Sequence, residues 1–465
     1  MDGFRHRQLM VEGTIDRAVW HLGAPAALAA LLQAGFLVVD TFWLGRVGPA
    51  AIAAASTAGF VMWLAQTLGE GLANGAGAVL AQAAGADDRD RAGRAAGAGL
   101  ALSVMGAVVV TGAGLALSGQ VFKVMGTAPE VTRAGQSYLV VILAAMPAYF
   151  LFAWIGAAFR ALGDARTPLL LLGAAAAVNV VLDPLLIFGL GPLPPLGVTG
   201  AALATAASWL TAAAVGWRLL AETGLRPLPG VVGRPPREVW QALRVGLPLA
   251  VEGALFSLIY IGLTRITTGF GTPAVAALGI GHKLEVLNYF VCAGMGAAAT
   301  TLVGQNLGAG DERRAARAAW RTLFLTVIPV GGVTALLVAF PEHAVAVFSD
   351  APAVVAAGTL YVLLVGMSQP FMAAEVVLLG AFAGAHRTVL PAALEIGLTA
   401  ARIPLAAWLV SRGWGVEAVW TAIAATTVIK GSLLAVLFAA GPGRAAAGPG
   451  RGGPDRGRPA ADPLQ

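Results

Sequence analysis

The 465-residue chain has little charge and almost no cysteine. Only 12% of its residues are charged and 58% are hydrophobic, with a mean hydropathy of +0.78. An average soluble domain carries about twice that charged fraction. The single Cys292 excludes a disulfide within one chain. The five histidines show no metal-ligand spacing and no phosphate-binding loop is present, so we expect neither an enzyme nor an ATPase.

Long apolar runs fill the chain instead. A helix crosses a membrane in about 20 residues, and twelve windows reach that length. The sequence therefore predicts an all-α integral membrane protein with twelve transmembrane helices in two six-helix lobes. The windows fall at about 20–45, 52–80, 96–117, 136–158, 168–190, 198–220, 241–267, 276–303, 318–340, 355–381, 390–410 and 416–440.

Composition divides the chain into four segments. We assign residues 1–222 to an N-lobe and 239–440 to a C-lobe, joined by a Pro/Arg-rich cytoplasmic linker at 223–238. Residues 441–465 are rich in Gly, Pro and Arg and are predicted to be a disordered cytoplasmic tail. The charged N-terminus, followed by an apolar run too long for an h-region, does not predict a signal peptide.

The basic residues indicate the orientation. Twenty-three Lys and Arg, Lys430 among them, fall in segments on the side of the N-terminus, and four fall on the other side. By the positive-inside rule both termini are cytoplasmic, in a bacterial-type plasma membrane. The net charge of +6 therefore reflects loops on one side, and no nucleic-acid partner is expected.

The two halves repeat at one offset. Residues 81–96 align with 304–319, which pairs Gln82 with Gln305 at a spacing of 223. GDART at 163–167 faces GAHRT at 384–388 at a spacing of 221, which places Pro404 opposite Asp183 and Ala400 opposite Asn179. The polar pair then belongs to the N-lobe alone. Parallel repeats place a ligand cavity between the lobes, which is typical of a carrier.

The stretch from Ala174 to Pro184 holds the leading candidate site. Asn179 and Asp183 are four residues apart and share one helix face. Pro184 removes a hydrogen-bond partner from the Val180 carbonyl. A carboxylate, an amide and a freed carbonyl suit a proton or Na⁺. The alternative is a structural polar pair bonded to a neighbouring helix.

Further polar residues lie on other predicted spans. Asp40, with Gln33 two turns earlier, is a site candidate or an acid at the outer interface. Thr205 and Tyr138 are candidates to complete the hydrogen bonds around Asp183. The alternatives are a backbone-bonded threonine and an interfacial tyrosine.

Two C-lobe acids are candidates for the substrate. Glu252 and Glu375 lie on spans that match the cavity-lining first and fourth helices of the other half. We expect them to contact a cationic substrate. The alternative for the C-lobe acids is pairing with Arg402 or Lys283.

Several motifs resemble the multidrug and toxic compound extrusion (MATE) family, closest to its prokaryotic DinF-like branch. They include VVDTFWLGRVGPAAIAAAS at 38–56, NVVLDPLLIFGLGPLPPLGVTGAALAT at 179–205, TLVGQNLGAG at 301–310 and ARIP at 401–404. The resemblance implies a V-shaped carrier that exports organic cations or drugs in exchange for H⁺ or Na⁺. It implies coupling at Asp40, Asn179 and Asp183, with Thr205 and Tyr138. From the residues themselves we expect that Na⁺ could bind at Asp40, Asn179 and Asp183, and that Gln33, Tyr138, Glu252 and Glu375 contact the substrate.

The resemblance leaves the coupling ion and the substrate open. No cofactor beyond the ion is expected, and the partners expected are small molecules and membrane lipids around a monomer. A flippase for a lipid-linked saccharide is the main alternative, and it would need a basic cavity to hold a diphosphate. A channel or a sensor is a further alternative, which the two-lobe symmetry disfavours.

Overall fold

The computed structural model describes residues 4–124, 129–189, 194–225 and 237–443. Within these ranges the chain is helical and forms no strand. Most of the predicted linker (226–236) and most of the predicted tail (444–465) lie outside the described residues. The helices are α1 (Arg7–Val11), α2 (Ile15–Val47), α3 (Pro49–Gly85), α4 (Arg89–Val124), α5 (Pro129–Ala161), α6 (Arg166–Phe188), α7 (Val198–Glu222), α8 (Arg237–Thr268), α9 (Thr272–Gly308), α10 (Glu312–Ala339), α11 (Pro341–Ala346), α12 (Pro352–Gly366), α13 (Gln369–Gly384), α14 (Val389–Ala400), α15 (Arg402–Ser411) and α16 (Glu417–Ala440).

The helices match the predicted spans. Eleven described segments are long and apolar enough to cross a membrane, and the pair α12–α13, bent by 52°, makes a twelfth when counted as one span. The predicted all-helical membrane fold is confirmed. The bend has a local cause, because Pro370 has no N–H for the turn before it. Ser368 adds to it by donating its hydroxyl to the Val365 carbonyl at 2.7 Å.

The 223-residue offset between the two halves continues past residue 163, where the sequence predicted a change to 221. Helices α5 and α13 end at Ala161 and Gly384, and α6 and the α14–α15 pair span 166–188 and 389–411. The turns between them share a left-handed residue, Gly163 (φ 90°) in one and His386 (φ 57°) in the other. The 221-residue alignment was therefore wrong, because it matched glycines that hold different places in the turn.

The corrected alignment changes the partners of the N-lobe site. At a spacing of 223, Arg402 corresponds to Asn179 and Ala406 corresponds to Asp183. The expected counterparts, Ala400 and Pro404, lie two positions too early.

The lobes meet through α3 and α9 at the end predicted to be cytoplasmic. Gln82 Nε2 donates to the Gly384 carbonyl at 3.0 Å, and Gln305 Nε2 donates to the Ala161 carbonyl at 2.7 Å. Both donors and both acceptors are related by the 223-residue offset. This end of the molecule is therefore closed by two equivalent hydrogen bonds between the lobes.

The backbones of α3 and α9 approach closely beside these bonds. A Cβ added to Gly85 would lie 1.9 Å from the Gln305 carbonyl oxygen. One added to Gly308 would lie 2.0 Å from the Gln82 carbonyl oxygen. Only glycine permits this approach at either position.

The N-terminal segment covers the same end. Arg7 Nε donates to the Gly85 carbonyl of the N-lobe at 3.0 Å, and Asn306 Nδ2 donates from the C-lobe to the Met10 carbonyl at 3.2 Å. The Met10 side chain is fully buried in an apolar cluster that contains Ala165 of the N-lobe and Leu302 of the C-lobe. Residues 7–10 thus contact both lobes where they close.

Candidate functional site

The N-lobe acids meet in one buried cluster. Asn179 and Asp183 lie one turn apart on α6, and Asp40 reaches them from α2. Asn179 and Asp183 are fully buried and Asp40 is 9% exposed. With its amide nitrogen turned toward the acids, Asn179 donates to Asp40 Oδ1 at 2.9 Å and to Asp183 Oδ2 at 3.2 Å. One amide therefore joins two acids that belong to different helices.

The two carboxyl groups share the Asn179 amide and lie within electrostatic reach of each other. Two ionised carboxylates in this arrangement repel each other, so a proton or another cation would stabilise the pair. Among the described residues, no Lys or Arg forms an ion pair with either acid. The donor set suits either H⁺ or Na⁺.

Thr205 and Tyr138 border this cluster. Thr205 on α7 faces Asp40, and its buried hydroxyl lacks a close hydrogen bond among the described residues. Tyr138 on α5 is buried within electrostatic reach of both aspartates. Gln33, by contrast, is exposed on α2, and the described side chains around the aspartates do not include it. Helix α6 continues through Pro184 to Phe188, so the proline does not end it.

A second charged cluster lies inside the C-lobe around Lys430. This residue was expected in a cytoplasmic segment, which is wrong, because it lies midway along α16 and is 2% exposed. Its ammonium donates to Glu375 of α13, lies 3.0 Å from Glu395 Oε2 of α14 and bonds Thr399 Oγ1 at 3.2 Å. The expected pairing of C-lobe acids with Arg402 or Lys283 does not occur within hydrogen-bond distance among the described residues.

Arg402 is held by hydroxyl groups. Its guanidinium donates to Thr426 Oγ1 at 2.9 Å, to Tyr260 Oη at 2.9 Å and to Thr427 Oγ1 at 3.0 Å. The side chain is buried, and no described carboxylate lies within ion-pair distance. The C-lobe position that corresponds to Asn179 therefore carries a fixed positive charge.

Acids of both lobes lie near Tyr289 of α9. Tyr289 of α9 is 48% exposed and lies within electrostatic reach of Glu70, Glu252 and Glu375. Glu70 is exposed on α3 and accepts a hydrogen bond from the Tyr149 hydroxyl at 2.8 Å. The predicted substrate residues Glu252 and Glu375 thus lie near an N-lobe acid and an aromatic ring.

Sequence reasoning missed three of these side chains. Glu70 lies in the glycine-rich stretch at 69–77, where the small residues indicate close helix packing and draw attention away from the acid. Lys430 was counted among the cytoplasmic basic residues, although it lies inside the predicted span at 416–440. Gln369, which donates to Glu285 Oε1 at 3.1 Å, gave no signal beyond its place beside Pro370.

Comparison with known proteins agrees with this architecture. The family model MatE matches residues 25–185 and 248–408, two ranges related by the 223-residue offset at both ends. The chain is 28% identical over 438 residues to a probable multidrug resistance protein NorM of Thermotoga maritima, covering 92% of this chain and 93% of that protein. It is 25% identical over 430 residues to an FAD transporter of Shewanella oneidensis, covering 92% and 95%.

Solved structures share the fold. A crystal structure of MATE in complex with MaD3S superposes with a TM-score of 0.87 at 22% identity, covering 95% of this chain and 99% of that one. A MOP superfamily transporter from Pyrococcus furiosus gives a TM-score of 0.87 at 22% identity, with 95% and 98% covered. With the family model matched across both repeats, the chain belongs to the MatE family of membrane transporters.

Proposed function

We propose that the protein is a secondary active antiporter that exports organic cations in exchange for H⁺ or Na⁺. The observation that supports this most is the pair of buried aspartates, Asp40 and Asp183, which share the Asn179 amide and have no basic partner among the described residues. A charge kept inside a membrane is costly and typically marks an ion pathway. Relatives named as multidrug resistance proteins support an export role.

Binding of the coupling ion changes the charge of two helices at once. An empty cluster holds two carboxylates that repel each other across α2 and α6, and one proton or Na⁺ joins them. Pro25 lies inside α2 and Pro184 lies inside α6, and each removes a backbone hydrogen bond. We therefore propose that ion binding bends these helices and drives the release of substrate to the outside.

The acids between the lobes define the substrate class. Glu70 and Glu252 have no basic partner at ion-pair distance among the described residues and give the surroundings of Tyr289 a negative character, whereas Glu375 is paired with Lys430. The Tyr289 ring can stack on a cation. These features favour a lipophilic organic cation. They disfavour a lipid-linked diphosphate and also an anionic cargo such as the FAD of the Shewanella oneidensis relative.

Alternating access requires the closed end to open. The bonds made by Gln82 and Gln305 seal the end predicted to be cytoplasmic. We propose that the protein sits in a bacterial inner membrane with both termini cytoplasmic, and that substrate enters after these bonds break.

The test is transport of a fluorescent cation, ethidium, by purified protein in proteoliposomes. A pH gradient and a Na⁺ gradient are imposed separately on wild type, on Asp183→Asn and on the control Asp350→Asn, which alters an exposed acid. We expect one gradient to drive transport in wild type and in the control, and neither to do so in Asp183→Asn. Gradient-driven transport by Asp183→Asn would contradict the proposal.

A further inference from the structure

Each lobe holds two buried carboxyl groups beside a threonine. The N-lobe pair is the cluster of Asp40 and Asp183. The C-lobe pair is Glu375 and Glu395, with Thr399 beside them. Both pairs bring together acids from different helices inside one lobe, so both need positive charge to offset their repulsion.

The lobes differ in where that positive charge comes from. The N-lobe pair has an amide between its acids and no base among the described residues. The C-lobe pair has the Lys430 ammonium between its acids, bonded to Glu375 and to Thr399 and 3.0 Å from Glu395. Lys430 and Glu395 are each 2% exposed.

We propose that the Lys430 ammonium is a tethered cation that permanently fills the C-lobe carboxylate site. A coupling ion then exchanges at the N-lobe site alone. Removing the ammonium opens a second site, at which Glu375 and Glu395 take up a proton or Na⁺. Of the two tests described below, only the second, which measures transport, rests on the proposed antiport.

The surroundings of Lys430 support an occupied site. The Lys430 ammonium lies at ion-pair distance from the Glu395 carboxylate. Neither oxygen of that carboxylate makes a hydrogen bond among the described residues. Arg402 acts on Lys430 and Glu375 from α15. It adds a second positive charge near the pair from beyond ion-pair distance. The other charged or titratable groups that act on these residues are Glu252 and Tyr260 from α8 and Glu285, Tyr289 and Cys292 from α9.

The charge on residue 430 separates this role from simple packing. Lys430→Arg keeps the positive charge, whereas Lys430→Gln keeps a hydrogen-bond donor and removes the charge. If the side chain only fills space, Lys430→Gln should perturb the protein less than Lys430→Arg. If it is a tethered cation, Lys430→Arg should perturb the protein less than Lys430→Gln.

The first test needs no ligand. Infrared spectra of purified protein in Na⁺-free buffer at neutral pH report protonated carboxyl groups through their C=O stretch, which shifts in D₂O. We expect Lys430→Gln to gain such absorption relative to wild type and Lys430→Arg to gain none. We expect the added band to weaken in Lys430→Gln with Glu395→Gln. A Lys430→Gln spectrum identical to that of wild type would overturn the inference.

The second test covers the outcome in which Lys430→Gln does not fold. Glu395→Gln leaves Lys430 paired with Glu375, so the number of ions exchanged per ethidium should equal that of wild type. A changed number would show that the C-lobe pair exchanges ions, which contradicts the inference. Gradient-driven transport by Asp183→Asn would instead contradict the proposed antiport and leave the infrared result standing.

Discussion

Gln82 and Gln305 lie 223 positions apart in the sequence, and each donates its side-chain amide to a backbone carbonyl of the opposite lobe. Their acceptors, Gly384 and Ala161, are separated by the same 223 positions. The closed end of the protein is thus a symmetric latch built from one amide of each repeat.

Removing both amides should weaken this latch. A net hydrogen bond contributes about 1 kcal/mol, so Gln82→Ala with Gln305→Ala should favour opening by about 2 kcal/mol, more than a tenfold change in population. The readout is thiol labelling of Ala81→Cys, a buried α3 position that contacts Gly304 of α9, in a Cys292→Ser background. Labelling should accelerate by about thirtyfold, in proportion to the population of the open state.

A matched control uses a glutamine away from the interface. Gln120 lies near the C-terminal end of α4. Its substitution, Gln120→Ala, should leave the labelling rate of Ala81→Cys unchanged. Equal labelling in the double variant and in this control would show that the amides do not hold the lobes together.

The glycines beside the latch give a steric test. Gly85→Ala places a methyl group 1.9 Å from the Gln305 carbonyl oxygen, and backbone cannot yield there without separating the helices. We expect loss of ethidium transport and faster labelling of the interface. Gly112→Ala is the matched control, because its Cβ meets open space on α4. Full transport by Gly85→Ala would contradict the close approach.

Closure should also depend on pH through His386, in the turn between α13 and α14. This side chain lies near the Ala78 backbone of the N-lobe. Burial lowers its pKa and Arg91 lowers it further, against a smaller opposing effect of the Ala78 backbone. A lowered pKa means that the closed state favours neutral histidine, so closure is fully stable above the ordinary pKa of about 6.5 and weakens as the pH falls below it. Labelling of Ala81→Cys should therefore accelerate between pH 6.5 and 5.

Substitution of the histidine should remove that dependence. His386→Gln should make the labelling rate less sensitive to pH, whereas His343→Gln, at an exposed position, should retain the wild-type profile. An unchanged profile in His386→Gln would assign the pH effect to other groups.

The sequence predicted the all-helical membrane fold, the span count and the repeat, because each depends on apolar length or on spacing along the chain. It also singled out Asn179 and Asp183, since an acid and an amide one helical turn apart stand out in an apolar run. It misplaced Lys430, which lies inside the predicted window 416–440, because the charge count took this lysine for a loop residue. The two glutamates that pair with it belong to other helices and are distant in the sequence. It mispaired Arg402, because glycine and histidine hold the same left-handed position in the two turns.

The most direct test of ion coupling at the N-lobe cluster reverses the transport cycle. An inward gradient of tetraphenylphosphonium is imposed on proteoliposomes without any ion gradient, and the movement of H⁺ or ²²Na⁺ in the opposite direction is measured. Linkage requires that a substrate gradient drive the coupling ion if the ion can drive the substrate. We predict counter-movement of one ion in wild type and in Asp350→Asn, and none in Asp183→Asn. Counter-movement that persists in Asp183→Asn, or substrate uptake without ion movement in wild type, would contradict coupling at Asp40 and Asp183.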